Sequence, residues 1–145
     1  MQTYERIPII RLWQILLVPL QGEVTDSLAE KLTSEILHRV HLEEVTGLVI
    51  DVTGLWLVDS HLCAVISRIA EAAALMGART FLSGMKPEVA MTLETMGIEL
   101  RGASSTRSLD EALEALGVRL VTDRDESIEI DGVLDDVFDE AEESF

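Results

Sequence analysis

The feature that most constrains this chain is the run Gly47-Leu48-Val49-Ile50-Asp51-Val52, apolar at almost every position. A strand with one wet face alternates polar and apolar residues, whereas a continuous short apolar run fits a strand buried on both faces. Helical patterns flank it. Leu28, Leu32, Ile36 and Val40 recur every four residues, after Thr25 or Asp26 as a candidate N-cap. Beyond a turn allowed by Thr53-Gly54, Leu62, Val65, Ile66, Ile69, Ala73 and Met76 mark one face of a helix that begins at Ser60, with Gly77 as its C-cap.

The alternation continues downstream. Arg79-Thr80-Phe81-Leu82-Ser83 is the next strand, Gly84 turns the chain, and Pro87 opens a helix carrying Val89, Ala90, Leu93 and Met96. Gly97 ends that helix, Ile98-Glu99-Leu100 offers a short strand, and Leu109, Ala112, Leu113 and Leu116 form a last helix closed by Gly117. Upstream, the stretches from Ile7 to Trp13 and from Ile15 to Leu20 are too short and too branched for helices. They predict two strands joined near Trp13-Gln14, with Pro8 best placed on an edge strand. A strand pair followed by helix–strand alternation predicts an α/β domain over residues 1–120. Its central sheet is mostly parallel, with an N-terminal strand pair and about four helices.

Composition narrows the function. The 145 residues carry a formal charge of −16. Residues 121–145 hold eleven acids and one base, a net −10, and the rest of the chain a net −6. With no cationic patch to displace counterions, the chain repels nucleic acid and anionic lipid, while a basic protein partner stays open. No run approaches the roughly 18 apolar residues of a membrane span, and the N-terminus lacks the pattern of a signal peptide. The single cysteine, Cys63, fits a reducing compartment, so a cytoplasmic protein is expected. The segment 121–145 reads as an acidic, mobile tail in which Val133, Leu134, Val137 and Phe138 keep helical spacing for a partner.

Catalytic and cofactor patterns are missing, so neither an enzyme nor a cofactor is expected. There is no glycine-rich phosphate loop and no nucleophile elbow. His38 and His41 lie three apart on one helix without companion ligands, which predicts surface residues and no metal site. Cys63 falls on an apolar helix face and reads as packing. Asp51 at the end of a central strand invites comparison with a phosphorylated receiver aspartate. That chemistry needs an acidic pair after the first strand to hold Mg²⁺, and the residues there, Trp13-Gln14 and Gln21-Gly22-Glu23, supply none. Asp51 is instead expected to accept backbone hydrogen bonds in the Thr53-Gly54 turn.

The informative segment runs from Val49 to Ser60: a strand ending in Asp51, a loop, then Asp59-Ser60 opening a helix. It resembles the STAS family of anti-sigma-factor antagonists. The stretches Ala74-Leu75-Met76-Gly77-Ala78, Leu82-Ser83-Gly84-Met85-Lys86-Pro87 and Met96-Gly97-Ile98 follow in the family's order. Within the family, Ile7-Pro8-Ile9-Ile10-Arg11-Leu12 and Ile15-Leu16-Leu17-Val18 are similar to the RsbS subgroup of stressosome antagonists. The resemblance implies Ser60 as the phosphoacceptor of an RsbT-type serine kinase, with Asp59 and His61 as its neighbours. It also implies assembly with RsbR-type STAS proteins into a large homo- or hetero-oligomeric scaffold that sequesters the kinase until phosphorylation releases it. Thr92 matches a second site of the RsbR group. Taken by itself Ser60 reads first as a plain N-cap, the surrounding pattern favours the phosphosite, and both roles can coexist. A structural STAS adaptor of a transporter or other complex, with no switch, is the alternative function.

Overall fold

The computed structural model describes residues 6–118 in full and the backbone of 120–122 and 128–130. Strands β1 (Ile10–Leu12) and β2 (Ile15–Gly22) form the expected antiparallel pair, and Trp13 takes a left-handed φ of 54° in the two-residue turn between them. Helix α1 (Asp26–Glu43) follows. Thr25 is its N-cap, its side-chain oxygen accepting the Leu28 N–H at 3.3 Å. Then come β3 (Gly47–Leu55), α2 (Ser60–Leu75), β4 (Arg79–Ser83), α3 (Pro87–Thr95), β5 (Ala103–Thr106) and α4 (Leu109–Ala115).

The sheet order is β1-β2-β3-β4-β5, with every pairing after the first one parallel. β1 covers β2 only as far as Leu17, so Pro19 sits where β2 is itself an edge and its missing N–H leaves no ladder bond unmade.

Because side chains alternate across a strand, the non-alternating run of β3 feeds two cores. Leu48, Ile50 and Val52 join Leu16, Val18 and Leu82 beneath α1 and α2. Val49 faces the other way and packs with Ile15, Phe81 and the α4 residues Ala112 and Leu113. Burial on both faces is what the sequence pattern demanded.

Three local expectations fail. The Thr53-Gly54 turn is still strand, since β3 runs on to Leu55. Gly54 instead allows close approach of β2: a Cβ there would come within 3.2 Å of the Leu20 carbonyl oxygen and of Gln21 Cγ, beside a shift in register. The segment Ile98–Leu100 is irregular, and the fifth strand begins at Ala103. Its sequence, Ala-Ser-Ser-Thr, has no apolar run to announce it, because an edge strand needs none. The apolar face expected on α3 is also absent. Leu93 alone is buried, while Met96 is 63% exposed.

After α4 the backbone forms a separate antiparallel pair, β6 (Leu120–Thr122) with β7 (Ile128–Ile130). The helically spaced Val133, Leu134, Val137 and Phe138 lie outside the described residues.

Candidate functional site

The site is built where β3 leaves the sheet. After Leu55 the chain crosses four residues and turns into α2. Asp59, with extended backbone (φ −110°, ψ 179°), is the N-cap; its Oδ1 accepts the Leu62 N–H at 2.8 Å. Ser60 is therefore the first helical residue and not the cap, which corrects the plain capping reading. Its hydroxyl is left free for other work. Ser60 is exposed, and its backbone N–H, like that of His61, lies in the first helical turn where no intrahelical acceptor exists.

α3 stands opposite. A groove of about 450 Å³ runs between the Trp56–Ser60 segment and α3. Ser60 and Thr92 both line it, one from each helix, so the structure brings the two residues singled out as phosphoacceptors into one place. Leu93 forms its base. Its rim is apolar: Trp56 is 66% exposed and Leu57 58%. Asp59 and Glu88 add the charge, both negative. The Thr92 hydroxyl is exposed and donates to the Glu88 carbonyl at 2.9 Å, back along its own helix. Three consecutive apolar residues in a loop, Trp56-Leu57-Val58, were the sequence signal for this rim, and it was readable as an unpacked apolar stretch beside Ser60.

His61 points away from the groove. Its Nε2 lies 3.0 Å from Asp26 Oδ1, tying the start of α2 to the start of α1. His38 and His41 are exposed on α1, as expected. Cys63 is completely buried, and desolvation pushes its thiol pKa up, with the negative Asp59 adding to the effect. A thiol held protonated is a poor nucleophile. Among the described residues no three His, Cys, Asp or Glu side chains cluster as a metal site would require, and no helix is long and apolar enough to cross a membrane.

Asp51 does not do what the turn reading assigned to it. Its Oδ1 accepts two side-chain hydroxyls, Thr53 Oγ1 at 2.8 Å and Ser83 Oγ at 3.0 Å, not backbone N–H groups. Thr53 is two residues along the same strand, hence on the same face. Ser83 is directly opposite in the β3–β4 register. Sequence reasoning missed this bracket because it joins residues 32 apart, and only the register brings them together.

The family model of the STAS domain matches residues 4–112. The RsbT co-antagonist protein RsbRD of Bacillus subtilis (strain 168) is 26% identical over 104 residues, covering 72% of this chain and 37% of that protein. The chain spans between 34% and 39% of the length of the four RsbR relatives it matches. Among solved structures, a serine-to-glutamate variant of RsbS from Moorella thermoacetica is 34% identical with a TM-score of 0.67, over 77% of this chain and 94% of that one. A chain from the architecture of the stressosome, a signal integration and transduction hub, is 33% identical with a TM-score of 0.62, over 75% and 95%.

Proposed function

From the premise that this chain belongs to the STAS domain family, we propose that it is an RsbS-like antagonist: a stressosome subunit that captures an RsbT-type serine kinase and releases it when Ser60 is phosphorylated. The observation that carries the reading is the position of Ser60. It is exposed at the first residue of α2, uncommitted as a cap, and faces an apolar groove whose charges are negative. The similar RsbR proteins are by name RsbT co-antagonists, and the similar RsbS and stressosome chains match this one over nearly their whole length. On this reading the RsbR-type proteins are its assembly partners, the protein catalyses nothing itself, and the acidic segment from 121 onward is an appendage to the domain.

Physics makes the switch sharp without unfolding the domain. A phosphate adds about −1.5 to −2 charges at neutral pH. The free N–H groups at the start of α2 stabilise that charge. A partner packed on the Trp56 rim, however, would meet it desolvated and beside Asp59 and Glu88. Loss of about 1–3 kcal/mol of contact weakens capture roughly 5- to 150-fold.

The test pairs chemistry with capture. With ATP, the RsbT-type kinase of the source organism should add one phosphate, located on Ser60 by mass spectrometry. Ser60→Asp should lose kinase capture and Ser60→Ala keep it. Equal capture by the two variants defeats the switch. Recovery of a transporter in place of the kinase would point to the adaptor alternative.

A further inference from the structure

We propose that Asp51 is a positioning residue for the kinase-facing groove: through Thr53 and Ser83 it seats the turn that aims α3 at Ser60. The role of the groove rests on the phosphoacceptor reading above; the positioning itself rests only on geometry.

Among the described residues, little else holds α3. It buries Leu93 alone and has no side-chain N-cap, for Lys86 occupies that position without capping. Its direction therefore depends on the three residues that lead into it, Gly84-Met85-Lys86. Gly84 is left-handed, with a φ of 84°, and lies directly on the Asp51 bracket: a Cβ there would sit 1.9 Å from Thr53 Oγ1 and 2.9 Å from Asp51 Oδ1. The bracket is thus the floor on which the turn rests. Met85 packs on the main core, and Val89, in the first turn of α3, meets the same small cleft as Trp56 and Leu57. A shift of the turn passes directly to the groove wall facing Ser60.

The chemistry of the bracket suits the task. Ser83 is fully buried, so its hydroxyl needs the partner that Asp51 Oδ1 provides. One oxygen receiving two hydroxyls fixes the ends of β3 and β4 against each other. Removing the carboxylate leaves Ser83 unpaired, Thr53 free to rotate, and Gly84 without a fixed surface below it. α2 stays as it was, because Asp59 and its own buried face hold it. Misplacing α3 should accordingly weaken docking of the kinase and leave the acceptor hydroxyl competent.

Two readouts on the full chain separate the parts. In Asp51→Ala, amide hydrogen exchange in α3 should accelerate about tenfold more than exchange in α1. The KM for phosphorylation of Ser60 by the RsbT-type kinase should rise about fivefold, with kcat within about twofold of wild type. Asp51→Asn, which keeps an Oδ1 acceptor, should restore both. Ser83→Ala with Thr53→Val should reproduce the α3 exchange. If α3 and α1 accelerate equally, Asp51 is merely stabilising and the positioning role is overturned. If α3 loosens while KM is unchanged, the wall does not serve the kinase. Failure of the wild-type chain to be phosphorylated at Ser60 instead overturns the underlying reading, and the exchange result still decides the geometry.

Discussion

The two helices that face each other across the groove are made in opposite ways. α2 has 16 residues, eight of them buried, and an aspartate cap bonded at 2.8 Å. α3 has nine residues, one of them buried, and no side-chain cap. The residue proposed to receive phosphate is on the rigid wall; the apolar surface that a partner would touch is shared with the loosely held one. An acceptor on a well-anchored helix is already oriented for in-line transfer, while a docking wall gains from some freedom to adjust. The groove is asymmetric: one wall is capped and deeply packed, the other uncapped and packed through a single buried residue.

Core truncation exposes that difference most strongly. Ile66 is 1% exposed in the middle of α2, so Ile66→Ala should cost about 2–5 kcal/mol in urea unfolding. Met96, just past the end of α3, is 63% exposed, and Met96→Ala should stay within about 0.5 kcal/mol. Comparable losses would erase the contrast. Gly84→Ala comes next, because the substitution places a side chain at positive φ and against Thr53 Oγ1. A loss of about 1–3 kcal/mol is expected from the backbone conformation, and the bracket must shift as well. A fall in thermal midpoint accompanied by faster exchange in α3 but not α2 would sharpen the comparison.

How much of this was legible in the sequence depends on the range of the interactions. The Gly47–Val52 run announced a doubly covered strand because burial is written in consecutive residues. Asp59-Ser60 announced a helix start because caps are local. Leu93 was not distinguishable from Val89 or from Met96 at the helix end: all have helical spacing, and among the described residues no element covers α3 fully enough to bury more than Leu93. β5 escaped notice because its Ser104 and Ser105 are exposed and need no apolar signature. The Asp51–Ser83 bond was out of reach, since it exists only once the β3–β4 register is set.

The cap itself gives a smaller effect with a clear sign. Asp59→Ala removes the acceptor for Leu62 N–H and should lower stability by about 1 kcal/mol, while Asp59→Asn keeps most of it. Because Asp59 also faces the groove, the Ala variant should bind a docked partner no less tightly at neutral pH, so stability falls while capture does not. Parallel loss of both would mean that α2 is not the independent wall described here.

The smallest effect concerns the far end of the molecule. At the C-terminal end of α1, Arg39 Nε lies 2.6 Å from Glu43 Oε2, Arg11 reaches Glu43 Oε1 at 3.2 Å, and Arg39 also donates to the Ile9 carbonyl at 2.8 Å. The clamp fastens β1 to α1. The hydrogen bond from Arg39 holds the Glu43 carboxyl below its ordinary value of 4.5, against the opposing pull of desolvation and with help from the charges of Arg39 and Arg11. A depressed carboxylate contributes stability that is full above its unfolded pKa and is lost as pH falls through the folded one. Acidification from pH 6 to pH 3 should therefore loosen the β1–α1 end, seen as lower protection factors at Ile10–Leu12 once the pH dependence of intrinsic amide exchange is divided out, and Glu43→Gln should flatten that acid response. Exchange in α3, corrected for the fall in global stability, should be the same in Glu43→Gln and wild type across this range. If α3 followed the Glu43 titration, its looseness would belong to the whole fold and the contrast between the two walls would fail.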